Sequence, residues 1–319
     1  MNLTVRNLRD ENDYWRIRDF IRHVFLLNGR REMSWHVARL DYWWARRHEF
    51  LPDTRIEDVV FIWETQEGQI AAVLHPEHKG IVFHQVHPGL RTPELEEQML
   101  VVAEEHLAVP RPEGRQRLIV VADRHDQLRH DILLRQGYHK FEHPKATEHQ
   151  RRRLLDEPIP QPPVASGYSV RALREDEIPA RGLAAWKTTR DDEPYDDFVG
   201  WQWLLKVYQA PLYRRDLDIV ALAPGGEVAS YCTLWFDDVT RSGYFEPVGT
   251  AQEHRRQGLA RAVMSEALRR LRRMGATMAL VSSYTSPAHE LYASLGFSDY
   301  DLAEPWEKEL VGSLRRERV

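Results

Sequence analysis

The stretch HRRQGLARAV, residues 254–263, decides how this chain is read. Two arginines, a glutamine and a glycine run into an apolar stripe of Leu259, Val263, Ala267 and Leu271, with Met264 and Leu268 beside it. That period predicts an amphipathic helix that starts after Gly258 and ends at Met274-Gly275. A helix start offers unpaired amides and partial positive charge, and a glycine lets an anion approach the backbone. Ala260 keeps the same surface open, and Arg255, Arg256 and Arg261 carry guanidinium groups suited to phosphate. By itself the stretch reads first as an ordinary helix start with a glycine in it. It is not a G-x-G-x-x-G fingerprint, and the chain has no Gly-Lys pair, which excludes a P-loop.

The surroundings sharpen it. Ahead lies a strand over Gly243–Thr250 containing YFEPVG; behind lie a β-branched strand, Thr277–Val281, and a short helix, Pro287–Leu295, within SPAHELYASLGF. Here the chain resembles the Gcn5-related N-acetyltransferases (GNAT). Their acetyl-CoA motif, Arg/Gln-x-x-Gly-x-Gly/Ala, is Arg255-Arg256-Gln257-Gly258-Leu259-Ala260 in this sequence. Their closing helix, A-x-x-L-Y-x-x-x-G-F, is met by Ala288, Leu291, Tyr292, Gly296 and Phe297. The resemblance implies a pyrophosphate on Arg255, Arg256, Gln257, Gly258, Leu259 and Ala260, with Arg261 beside them. It implies a pantetheine arm along Val248, Gly249 and Thr250, with Tyr292 as the acid that protonates the departing thiolate and Glu246 as the base for the amine. Where many relatives have asparagine, seven residues before the tyrosine, this chain has Thr285, whose hydroxyl can still meet the pantetheine. Trp186, Tyr195 and Trp201 fall on the helices that border the acceptor in the family.

Working outward again, the order β-α-α-β-β-β-α-β-α-β over the second half predicts an α/β mixed sheet with helices on its faces. The first half repeats it. TVRNLRDEN at 4–12 returns as SVRALREDE at 169–177, so Val5, Arg6, Leu8 and Arg9 recur as Val170, Arg171, Leu173 and Arg174. RHDILLRQGY at 129–138 parallels AHELYASLGF at 288–297. Between the halves, DEPIPQPPVASG is a proline-rich, extended connector. The expected organisation is a GNAT-like domain at 1–157, a linker at 158–166 and a second GNAT domain at 167–319. This tandem layout resembles that of mycothiol synthase and its relatives.

The first half lacks the chemistry. In HQVHPGLRTPELEEQML, residues 84–100, setting Arg91 against Arg255 puts Glu94 at the place of Gly258 and Glu96 at that of Ala260. Val82 stands for Glu246 and Leu133 for Tyr292. Carboxylates there repel a pyrophosphate, so the site is expected only in the second half.

Composition narrows the classes further. The 319 residues suit two domains, and 42% hydrophobic with 29% charged content is globular. A net charge of −5 speaks against nucleic acid as partner. No apolar run approaches a membrane span and MNLTVRNLRD has no signal-peptide core, so a cytoplasmic location is the expectation. The single cysteine, Cys232, excludes an intrachain disulfide and a thiolate zinc site. Four histidines in HPEHKGIVFHQVHP, residues 75–88, read as a solvated hairpin rather than a metal site, and the aromatic LDYWWARR, residues 40–47, as core or interface. The expected function is acetyl transfer from acetyl-CoA to an amine of a small molecule or peptide, with no metal. The alternatives are a non-catalytic acyl-CoA sensor or scaffold, another acyl group, and a hydroxyl acceptor.

Overall fold

A computed structural model describes residues 2–189 and 200–311. In chain order the elements are β1 (Thr4–Asn7), α1 (Glu11–Leu27), α2 (Val37–Phe50), β2 (Phe61–Glu64), β3 (Ile70–His78), β4 (Ile81–Val86), α3 (Pro93–His106), β5 (Val109–Pro110), β6 (Arg115–Asp123), α4 (Gln127–Arg135), β7 (His139–Lys140) and β8 (Glu148–Leu154). There follow β9 (Ser169–Ala172), α5 (Ile178–Thr189), α6 (Trp203–Tyr208), β10 (Asp218–Leu222), β11 (Val228–Asp237), β12 (Ser242–Thr250), α7 (Leu259–Arg273), β13 (Met278–Ser283), α8 (Ser286–Ser294) and β14 (Asp299–Val311). The second run keeps the order read from the sequence.

Two compact units form, and each draws on both sides of the proline-rich connector. The first comprises Met1–His36, Arg47–Glu148 and Asp301–Val319; the second comprises Val37–Arg46 and His149–Tyr300. In the first unit the strands run β1-β2-β3-β4-β6-β14, with β5 on β6 and β7 on β14. In the second they run β8-β13-β12-β11-β10-β9. Thus β8, which precedes the connector, pairs antiparallel with β13 of the second unit. The last strand, β14, pairs antiparallel with β6 of the first. Each sheet contains one parallel pair, β4 with β6 and β12 with β13.

The sequence explains these elements. On α7 the apolar stripe Leu259, Val263, Met264, Ala267, Leu268 and Leu271 is buried against Ile219, Ala221, Cys232 and Leu234 of the sheet. Its outer face is basic, with Arg269 and Arg270 both paired to Glu266 at helical spacing. Burying each large side chain contributes about 1.5–3 kcal/mol. The opposite sheet face meets α5 through Ala184, Ala185, Val220 and Tyr231. The repeated VR-x-LR segments also have a structural meaning. Leu8 and Leu173 are buried in their units, while Arg6 pairs with Asp13 and Arg171 with Glu177 at the entry to the next helix. The connector is anchored too: Ile159 joins the core of the second unit and Arg269 donates to the Pro160 carbonyl at 3.1 Å.

A chain cut to residues 158–319 lacks β8 and Val37–Arg46 and carries β14 without β6. It should show no cooperative melting by calorimetry under conditions where the full chain melts cooperatively; a cooperative transition in the fragment would contradict the strand exchange.

Candidate active site

The site of the second unit begins where a strand ladder ends. β12 and β13 pair in parallel from Ser242–Met278 to Phe245–Val281 and no further, although β12 runs on to Thr250 and β13 to Ser283. On its other edge β12 stays with β11, but the register slips between Cys232 opposite Val248 and Leu234 opposite Phe245. Glu246 and Pro247 therefore share one partner, Thr233, in a β-bulge that bends the strand away from β13. The divergence leaves a cavity of about 460 Å³ walled by the end of β12, the start of α7 and α8.

One end of this cavity is the exposed start of α7, flanked by arginines. Arg256 and Gly258 both adopt left-handed backbone conformations, φ 64° and 74°, and turn the chain sharply into α7. The first bond of the helix runs from the Ala262 amide to the Gly258 carbonyl, so Leu259, Ala260 and Arg261 have no acceptor within the helix. No atom comes within 4 Å of where a Gly258 Cβ would sit, so the approach is open. Gly249 is needed for a different reason: a Cβ there would lie 2.6 Å from the Tyr231 ring. Arg255 donates to the Thr250 carbonyl at 3.3 Å, and Arg261 to Ser294 at the end of α8 at 3.4 Å.

The other end is phenolic, and the carboxylate of Glu246 stands beside it rather than in the lining. Tyr292 on α8 is buried against the core yet lines the cavity. Burial, reinforced by the nearby charges of Cys232, Glu246 and Tyr231, pushes its phenol well above the ordinary value, so it stays protonated at neutral pH. Glu246 is half-buried on the bulge, and its carbonyl accepts a 2.6 Å hydrogen bond from the Trp235 indole. Tyr231 shares a 2.6 Å hydrogen bond with Thr188, and its ring lies 3.4 Å beneath the buried Arg181 guanidinium. Cys232 is fully enclosed, and burial pushes its thiol up, away from the reactive thiolate.

Of the residues singled out from sequence, the cavity is lined by Val248, Gly249, Thr250, Arg255, Arg256, Gly258, Leu259, Ala260, Arg261, Thr285 and Tyr292. Gln257 is exposed and outside the lining, and Glu246 stands beside it next to Pro247. Trp186 on α5 and Trp201 before α6 are half-buried and do not line it; the Cβ of Trp201 packs closely over Gly182. Tyr195 lies outside the described residues. Thr188, Tyr231 and His254 line the cavity without having been picked out as site residues. His254 bonds Tyr168 at 3.0 Å. Thr188 and Tyr231 come from distant elements and share no motif spacing, while His254 stood in the deciding stretch with nothing to mark it.

The first unit meets the same situation differently. Its parallel pair, β4 with β6, ends at Val82–Val120. Thr92 is the N-cap of α3, with Pro93 fixing the first turn, so the helix starts two residues earlier than the motif alignment implies. Matched at the caps, Thr92 rather than Glu94 corresponds to Gly258, and Glu96 corresponds to Ala262. Glu96 is almost wholly buried and pairs with Arg91 at 2.6 Å and Arg129 at 2.9 Å; Asp126 holds Arg91 at 2.7 Å. Burial works to raise the Glu96 carboxyl, but the Arg129 charge and the hydrogen bonds from His84 and Arg129 hold it well below its ordinary value. Val82 and Leu133 are core residues. Two of the four hairpin histidines are buried rather than solvated as expected, because polar partners meet them inside: His75 bonds Gln85 at 3.0 Å and His84 approaches Glu96 at 3.3 Å. Among the described residues no group of three or more metal-ligating side chains converges. Arg129→Ala, which strips Glu96 of one buried cation, should cost roughly 3–5 kcal/mol in urea unfolding; a loss below ~1 kcal/mol, the range of exposed pairs, would contradict the network's burial.

Residues 172–297 match the model of the acetyltransferase (GNAT) family. No curated protein matches the sequence. Among solved structures, a GCN5-related N-acetyltransferase from Sphaerobacter thermophilus is 18% identical with TM-score 0.66, the match covering 96% of this chain and 95% of that one. A tandem GNAT protein from the clavulanic acid biosynthesis pathway is 14% identical with TM-score 0.64, covering 97% and 98%. A GNAT-family acetyltransferase from Colwellia psychrerythraea is 13% identical with TM-score 0.62, covering 95% and 99%. At these identities the structures speak for the fold. Residues 172–297 are thus similar to the GNAT family by sequence, and along its length the chain shares the fold of a GCN5-related N-acetyltransferase and of a tandem GNAT protein.

Proposed function

We propose that the second unit transfers an acetyl group from acetyl-CoA to an amine of a small molecule or peptide by direct attack. Acyl transfer is the general chemistry of the superfamily. The observation that carries the finer reading is the open wedge beyond Phe245–Val281, with an anion cradle at one end and Tyr292 at the other. The amides of Leu259, Ala260 and Arg261, with Arg255 and Arg256, are the groups to hold phosphates. Main-chain groups of Val248, Gly249 and Thr250, on the edge that β13 has left, are those to bond an extended pantetheine arm. The donor supplies an activated acyl thioester.

The chain's own residues then do the proton work. The neutral amine attacks the carbonyl carbon, and Glu246 accepts the one proton that its nitrogen sheds. The new C–N bond forms as the C–S bond breaks. Tyr292, protonated because it is buried, gives its proton to the departing thiolate. The enclosed Cys232 thiol offers no nucleophile for a covalent acyl-enzyme, which favours direct attack. The first unit keeps the fold without the site, because Glu96 and its arginines occupy the start of α3.

Acetyl-CoA should raise the melting temperature of the full chain. Gly258→Glu, which sets a carboxylate at the helix start and forces a side chain into a left-handed position, should abolish that shift; no shift with the native protein would sink the cofactor assignment. With the best acceptor from a panel of polyamines, amino acids, amino sugars and free-N-terminal peptides, Tyr292→Phe should lower kcat for thiol release roughly 10²-fold. Unchanged turnover would remove the acid role. Binding without thiol release across the panel would favour the sensor.

A further inference from the structure

The bulge that carries Glu246 poses an accounting problem. Two residues, Glu246 and Pro247, oppose one, so their main-chain groups cannot all enter the ladder with β11. Proline has no N–H to satisfy, but the Glu246 carbonyl needs a donor. The Trp235 indole supplies it at 2.6 Å, from a side chain that is fully buried. Two rings pack edge-on against that indole: Tyr213 at 6.1 Å and Tyr42 at 6.0 Å between centroids. Tyr42 comes from the part of α2 that belongs to the second unit, and its hydroxyl accepts a hydrogen bond from Arg46.

The facing strand is fixed as firmly. Thr233, the single residue opposite the bulge, accepts a hydrogen bond from Arg181 at 3.3 Å. Arg181 is itself fully buried and paired with buried Asp218 at 3.4 Å, and Tyr213 donates to Asp218 at 3.3 Å. Both anchors thus come through β11: a buried ion pair holds Thr233, and the indole of Trp235, two residues on, holds the Glu246 carbonyl. A bulge aims the side chains it carries, and here the residue aimed is the carboxylate read as the base.

We propose that Trp235 is a positioning residue for Glu246: its indole N–H fixes the bulge carbonyl and so directs the carboxylate to the amine. Trp235 touches no reacting atom in this scheme. The inference rests on Glu246 as base, and the test separates the two. With the best amine of the panel, Trp235→Phe should lower kcat roughly 10- to 100-fold, the scale of a small misplacement of a catalytic group. Its Kd for acetyl-CoA should stay within about twofold, because neither Trp235 nor Glu246 lines the cavity. In a Glu246→Gln background the same change should have no further effect on kcat. Site-specific 3-benzothienylalanine at position 235, which keeps the shape and removes only the N–H, should reproduce the loss even if Trp235→Phe folds poorly. Wild-type kcat in the benzothienylalanine protein, or an undiminished effect of Trp235→Phe when Glu246 is already glutamine, overturns the positioning role. Wild-type kcat in Glu246→Gln alone overturns the base assignment, and this inference falls with it.

Discussion

The structure of the second unit depends on one parallel ladder stopping early. β12 and β13 are hydrogen-bonded as far as Phe245 and Val281, and the bulge at Glu246–Pro247 then bends β12 away while it stays paired to β11. A strand edge that is paired cannot bond a ligand, and one that is open costs stability unless something occupies it. Ending the ladder converts part of a sheet into a wedge. The cavity wall, the cradle at α7 and the place of Tyr292 all follow from that divergence.

The two units show what happens to such a wedge under different sequences. In the second, small or backbone groups at Gly249, Gly258 and Ala260 leave it open. In the first, the region is filled by the chain's own charges. Glu96 brings a carboxylate into the interior, and Arg91, Arg129 and His84 satisfy it. Burying one charge alone is very costly, so the cluster persists only as a complete network.

Much of the fold was legible in the sequence because period and punctuation are local signals. The stripe on α7, the glycine before it and the matching VR-x-LR segments needed no tertiary information. Most of the cradle residues were legible for the same reason, being contiguous. The alignment of Arg91 with Arg255 put Glu94 at the place of Gly258, whereas Pro93 and the capping hydroxyl of Thr92 start α3 two residues earlier, which motif spacing does not register. Tyr231 and Thr188 could not be found, since what qualifies them is a contact across 43 positions. The roles of Trp235 and Arg181 lie in the same class.

By itself, the sequence determined the type and order of the elements, the internal repeat and the open character of Gly258–Ala260, because these depend on neighbours along the chain. Only the tertiary structure decided which strands complete which sheet. β8 and β14 each pair on the far side of the connector from their neighbours in sequence, and strand pairing is a long-range choice that hydrophobic alternation does not encode. The bulge belongs to the same category. A one-residue slip between β11 and β12 is marked along the chain only by Pro247, which cannot donate to a ladder, yet it opens the wedge and leaves the Glu246 carbonyl to the Trp235 indole.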